Sequence, residues 1–313
     1  MRLISSRSCE TKAACTLGFL NSKFHMAQIL RRRVIGSVAF ILILGLPALG
    51  ASTTSQNENP ASRLKNIELC NGADRSSPDS QINGCTALID TGIKSALVSA
   101  VAHNNRGDAY SAKGDYDLAI RDYDLAIKLN PTFAKPYNNR GVAYQMKGEY
   151  DRAIQDFDEA IKLSPDYAKA FANRAETNQK RRDYQPAARD YDDAVRLDPS
   201  LEAVWNGRCW TRAILGQLEA ALADCNKALL VKPDDAATFD SRGLTYLKMG
   251  QFDSAIKDYS AALLINPKIA SALYGRGLAR LKKGDTAGGN TDIAAAEKIE
   301  ASIASDFSRY GAH

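Results

Sequence analysis

Few side chains in this chain of 313 residues have the type and spacing for covalent or metal chemistry. Histidine occurs three times, as His25, His103 and His313. No G-x-S-x-G, H-E-x-x-H or G-x-x-x-x-G-K-[ST] is present, so there is no nucleophile elbow, zinc-binding helix or phosphate loop to build on. The glycine-rich stretch Lys282–Gly289 has no strand before it and reads as a turn. Asp190, Asp192 and Asp193 lack the spacing of a calcium loop. Six cysteines occur, Cys9, Cys15, Cys70, Cys85, Cys209 and Cys225, none in C-x-x-C spacing, which argues against zinc. This inventory predicts no catalysis, no cofactor and no metal.

What recurs is charge at a fixed interval. Arginine stands at 106, 140, 174, 208, 242 and 276, and aspartate at 122, 156, 190, 224, 258 and 292, each 34 residues apart. Other residues keep the same register. With Ala100 as position 1, units begin at 100, 134, 168, 202, 236 and 270. Position 20 is Ala119, Ala153, Ala187, Ala221 and Ala255; position 27 is alanine in all six units; position 32 is Pro131, Pro165, Pro199, Pro233 and Pro267. Aromatics recur at position 4 (Tyr137, Phe171, Trp205, Phe239) and position 24 (Tyr123, Phe157, Tyr191, Tyr259). A period of this length marks a stacked fold in which each unit buries its apolar face against its neighbours. Glycine at 114, 148, 216 and 250 suits the end of a first helix, and proline ends the second. The Arg–Asp recurrence predicts an ion-pair ladder between the two helices of a unit; a row of ligand-binding charges is the alternative reading.

The pattern resembles the tetratricopeptide repeat, with its aromatic at 4, small residue at 8, alanine at 20 and 27 and proline at 32, over about two thirds of the chain. The resemblance implies an all-α, right-handed superhelical solenoid of helix-turn-helix repeats. It spans residues 100–303 as six repeats, the last a worn, solvent-facing cap, with a tail at 304–313. Residues 61–99 align with the repeat as a divergent helical hairpin, since Cys85 falls at position 24. The resemblance also implies a concave groove lined by positions 2, 5, 6, 9, 12 and 13 of the first helices. Those positions hold Asn104, Asn138 and Asn206, Asn105, Asn139 and Asn173, Lys135 and Lys169, and Trp210. An asparagine ladder can hydrogen-bond an extended peptide backbone without reading its side chains, and an exposed aromatic is a common hot spot. Plain surface polarity, and for Trp210 packing against a neighbouring helix, are the alternatives. The carboxylate clamp of some repeat proteins is not supported, because Asn104 and Asp108 stand where it needs lysine and asparagine.

Positions 8 and 24 face each other across a repeat, and they hold Cys209 and Cys225. Cys70 and Cys85 lie at a similar spacing. In an exported protein these two pairs are expected as disulfides, with four buried thiols as the alternative. Export is expected from Arg31–Arg33, the apolar run 34–49 and the small residues before Ala51, a signal whose true start is Met26 if the first 25 residues are not translated; a linker follows at 51–60. The run of 16 apolar residues is short for a membrane span, although an uncleaved signal would anchor the protein facing the periplasm. Of the 41 basic and 36 acidic side chains, seven basic and one acidic lie in residues 1–50, leaving 34 and 35. The remainder is near neutral, which removes the charge argument for nucleic acid. These observations together predict an exported, periplasmic, non-catalytic scaffold that binds a peptide or protein in its groove. A self-associating structural protein and a non-catalytic subunit of an envelope complex are the alternatives.

Overall fold

The computed structural model describes residues 59–72 and 77–312; the signal expected in residues 1–50 lies outside them. Every regular element among the described residues is a helix. Helices α1 (Pro60–Cys70) and α2 (Pro78–Asp90) form a first hairpin. Six further hairpins follow in the 34-residue register. They are α3 (Ala96–Ala112) with α4 (Tyr116–Leu129), α5 (Ala134–Met146) with α6 (Tyr150–Leu163), and α7 (Ala168–Lys180) with α8 (Tyr184–Leu197). The second three are α9 (Glu202–Ile214) with α10 (Leu218–Val231), α11 (Ala236–Lys248) with α12 (Phe252–Ile265), and α13 (Ala270–Lys282) with α14 (Thr286–Ile299). The stretch expected as a tail contains one more helix, α15 (Ile303–Arg309).

The local chemistry accounts for these boundaries. Each first helix stops in a left-handed turn, as at Gly148 with φ 78°, a conformation that costs a side-chain-bearing residue about 1–2 kcal/mol. The third unit makes the same turn with Arg182 at φ 68°. In the first five repeats the second helix ends two residues before the proline, because the residue preceding proline is pushed out of the helical region. Asn130, at φ −143° and ψ 88°, shows this before Pro131.

Packing then bends the stack. Each first helix of the six repeats touches the first helix of the next repeat, whereas no two second helices touch. The first helices therefore line the inner, concave face and the second helices the outer one. Ala119, Ala153, Ala187, Ala221 and Ala255 are fully buried where the two helices cross. Space at position 8 is taken by the aromatic at 24: a β-carbon on Gly141 would sit 2.7 Å from the Phe157 ring, and one on Gly107 2.7 Å from Tyr123. In the fourth unit Cys209 and Cys225 occupy these same two positions as a disulfide, with their α-carbons 5.3 Å apart. A second disulfide joins Cys70 to Cys85 across α1 and α2.

All six repeating arginines clamp their aspartates through two parallel hydrogen bonds. Arg174 Nε donates to Asp190 Oδ2 at 2.9 Å and Nη2 to Oδ1 at 2.7 Å. Arg106, Arg140, Arg208, Arg242 and Arg276 do the same to Asp122, Asp156, Asp224, Asp258 and Asp292. The remaining nitrogen, Nη1, reaches back one unit. It donates to Asp124, Asp158, Asp192, Asn226 and Ser260 from Arg140, Arg174, Arg208, Arg242 and Arg276, and to Thr86 from Arg106. Each arginine thus ties its own two helices together and staples its unit to the one before.

Candidate functional site

The positions expected to line the concave face, 2, 5, 6, 9, 12 and 13, lie on α3, α5, α7, α9, α11 and α13. The two halves of that face differ in character. Over units one to three it is polar. Asn139 Nδ2 donates to Asn104 Oδ1 at 3.2 Å, and Asn173 Nδ2 to Asn138 Oδ1 at 2.9 Å. Asn104 and Asn138 donate in turn to Asn105 and Asn139 on their own helices, and Asn105 donates to Asn71. The asparagines therefore form one ladder in which position 6 of units two and three donates to position 5 of the unit before. Asn104 and Asn138 are buried in it, while Asn105, Asn139 and Asn173 stay part-exposed above them.

Asp108 is the hub of this half. It accepts from Tyr123 Oη at 2.9 Å, Asn139 Nδ2 at 2.7 Å, Lys135 Nζ at 3.0 Å and Asn104 Nδ2 at 3.3 Å. The Tyr123 hydroxyl, buried and beside that carboxylate, is held protonated well above the ordinary tyrosine range. Lys135 and Lys169 are exposed on the same surface.

Over units four to six part of the face is apolar and already occupied. Helix α15 folds back onto α13 and α14, with Ile303 and Phe307 buried. Phe307 packs on Tyr274, with ring centres 4.9 Å apart. Tyr310 lies edge-on to Trp210 at 5.5 Å, and Trp210 meets Tyr184 on its other side at 5.6 Å. Lys248 fastens the segment: its ammonium donates to the Tyr310 carbonyl at 2.6 Å and to the Ala213 carbonyl at 2.7 Å. Burial lowers its pKa. Trp210 therefore sits between the chain's own aromatic side chains.

Over units three to five, centred between units four and five, lies a cavity of about 630 Å³ whose lining includes Gln179, Asn206, Trp210, Asp240, Ser241 and Ile269. Two of its polar atoms, Asn206 Oδ1 and Asp240 Oδ1, are buried and have no hydrogen-bond partner. The ladder explains both. Position 6 of the next unit, which elsewhere supplies the donating amide, is Ser241 opposite Asn206 and Gly275 opposite Asp240. Ser241 donates instead to the Ala237 carbonyl. Asp240 keeps one bond, from Ser271 Oγ to Oδ2 at 2.7 Å, and burial pushes its pKa up to about 6.

The sequence reading uses Asp108 only to set aside the carboxylate clamp and passes over Gln179, Asp240 and Lys248, although all four stand at groove positions of the register. The back-folded segment also left a trace, since Ile303, Phe307 and Tyr310 recur at i, i+4 and i+7, the stripe of a helix with a buried face. Among the described residues no three His, Cys, Asp or Glu side chains are placed to hold a metal ion, and no helix is long and apolar enough to cross a membrane.

Comparison with known proteins agrees with this architecture. The family model described as TPR repeat matches residues 107–148 and 243–284, and that described as tetratricopeptide repeat matches 134–167. No curated protein matches. Solved structures that share the fold include the APC/C hetero-tetramer Cut9–Hcn1, at 18% identity over 80% of this chain and 51% of that one, with a TM-score of 0.60. A tetratricopeptide repeat protein from Parabacteroides merdae aligns at 18% identity over 80% of this chain and 99% of that one, TM-score 0.58. PilW, a widely conserved type IV pilus biogenesis factor, aligns at 20% identity over 67% and 94%, TM-score 0.55. At such identities the likeness concerns the fold alone.

Proposed function

We propose that this tetratricopeptide-repeat protein is a non-catalytic scaffold that holds a peptide or protein partner along its concave face, in the cell envelope after export. The observation that carries this reading is the division of that face. The chain's own C-terminal segment covers part of units four to six, while the cavity over units three to five stays open and units one to three are open, polar and internally braced. The ladder locks each asparagine side chain before a partner arrives, so little rotamer freedom is lost on binding. Each ladder carbonyl keeps a second lone pair, and the amides of Asn105 and Asn173 keep a second hydrogen, whereas Asn139 spends both of its hydrogens on Asn104 and Asp108. Asn105 and Asn173 can therefore donate to and accept from an extended backbone, and Asn139 can accept, beside the cations of Lys135 and Lys169. The disulfides Cys70–Cys85 and Cys209–Cys225 favour a compartment in which thiols oxidise.

The test is site-specific photo-crosslinking in envelope fractions. A crosslinking residue replaces Lys169 on the concave face in one sample and Lys162 on the outer face in another. A partner captured from position 169 and not from 162 is the expected result. Capture only from 162 would move binding to the outer face. Capture of a second copy of this chain would make it a self-assembling structural protein.

A further inference from the structure

Two buried atoms of the groove cavity's lining have no hydrogen-bond partner, and both are acceptors: Asn206 Oδ1 and Asp240 Oδ1. The Tyr259 hydroxyl, outside the lining, is buried without a partner as well. Three donors of the neighbourhood are engaged. Gln179 Nε2 donates to the Gly207 carbonyl and Thr211 Oγ1, Ser241 to Ala237, and Ser271 to Asp240 Oδ2. The ammonium of Lys180, at the rim, is paired with Glu176 at 3.1 Å. A ligand that completes this site must bring donors, and the carboxylate selects a positively charged one. The rest of the lining suits the stem of such a side chain: Trp210 offers a ring and Ala236, Ala237 and Ile269 aliphatic surface.

We propose that the cavity between units four and five is a recognition pocket for a basic side chain of the partner, a lysine ammonium or an arginine guanidinium, with Asp240 and Asn206 as its acceptors. It deepens the groove reading above and rests on it for the identity of the ligand as part of a partner chain. The incoming cation takes the place that the asparagine at position 6 fills in units one to three. There the ladder closes on itself; here, where serine and glycine interrupt it, the partner closes it. A buried carboxylate left without a cation is unfavourable, so the pocket discriminates strongly against neutral or acidic side chains, which leave Asp240 unmatched.

The probes are four pentapeptides, blocked at both ends, of sequence Gly-Ser-X-Ser-Gly with X as arginine, lysine, norleucine or glutamate. Each is titrated into the full chain while the side-chain amide signal of Asn206 is followed by NMR. The arginine or lysine probe is expected to bind at least tenfold more tightly than the norleucine probe and to shift the Asn206 signal, with the glutamate probe weakest. Asp240→Asn is expected to remove the preference. Ser241→Asn rebuilds the missing rung, so it is expected to raise the melting temperature and abolish binding of the basic probes together. Equal binding of the lysine and norleucine probes overturns the pocket, as does a preference that survives both substitutions. A higher melting temperature in Ser241→Asn with basic-probe binding unchanged also overturns it, because the vacancy would then be only structural. These results are separable from the crosslinking. A crosslink at 169 without basic preference leaves the groove and removes the pocket; a basic preference without a concave crosslink does the reverse.

Discussion

Two aspartates on neighbouring faces of the stack respond to their surroundings in opposite directions. Asp122 is buried, which by itself raises its pKa, but the bonds from Arg106 and His103 outweigh burial and hold it below the ordinary carboxylate range. Asp240 is buried with a single hydroxyl donor, and its pKa is pushed up to about 6. The signs of their stability contributions follow. Asp122 adds stability above its unfolded pKa that is lost as pH falls through the folded value, below about pH 4. Asp240 adds stability below its unfolded pKa that is lost as pH rises from about 4 to 6, amounting to roughly 3 kcal/mol. Asp240→Asn should therefore flatten the pH dependence of unfolding between pH 4 and 7 and leave the acid limb intact. Urea denaturation of the variant and the parent at pH 4.5 and 7.5 measures it; an unchanged difference between the two pH values would refute the assignment. The Arg–Asp recurrence that places Asp122 is legible in the sequence. The backward reach of each arginine to the preceding unit is not, since it depends on how two units rotate against each other.

At the scale of the helix pair, one rule is broken and one is enforced by contact. Arg182 occupies a left-handed turn that five other repeats fill with glycine. Outside its own turn it meets Asp306, 3.6 Å away and of little weight for an exposed side chain. Arg182→Gly should stabilise the protein by about 1 kcal/mol, because the left-handed conformation no longer strains a β-carbon. The opposite substitution in a helix, Gly141→Ala, gains propensity of about 1 kcal/mol but drives a methyl group against Phe157. Overpacking of that kind costs roughly 1–3 kcal/mol, so a net loss is expected. Thermal melts of both variants decide the matter, and a rise in Tm for Gly141→Ala would show that the ring can yield. The turn glycines and the small residues at position 8 were both readable from the period. That Cys209 and Cys225 stand at positions 8 and 24 was readable too; how tightly the same two positions press a glycine against an aromatic ring in units one, two and five, as Gly141 against Phe157, only the packing shows.

For the molecule as a whole, a solenoid transmits stability from neighbour to neighbour. Removing residues 302–313 would expose Phe307's partner Tyr274, uncover Trp210 and leave the Lys248 ammonium without the Tyr310 carbonyl. Amide exchange should accelerate in α9, α11 and α13 and stay unchanged in α3 and α5, which the segment does not touch. Hydrogen-exchange mass spectrometry of the truncated chain checks this. Uniform acceleration along the stack would mean that the segment supports the fold globally and does not merely cover one half of the groove.

The period, the helix boundaries, the helix-pair contacts and the cysteine pairs were determined by the sequence alone. Each depends on residues within one 34-residue unit, where spacing along a helix dictates which side chains meet. The state of the concave face was decided only by tertiary structure. Asn104 and Asn138 differ little in sequence context from Asn206, yet two are closed by a neighbour's amide and one is not, because the donor lies a full unit away at Asn139, Asn173 or the shorter Ser241. The folding of Tyr310 onto Trp210, a hundred residues distant in the chain, is likewise set by the curvature that stacked helices accumulate, which no single unit encodes.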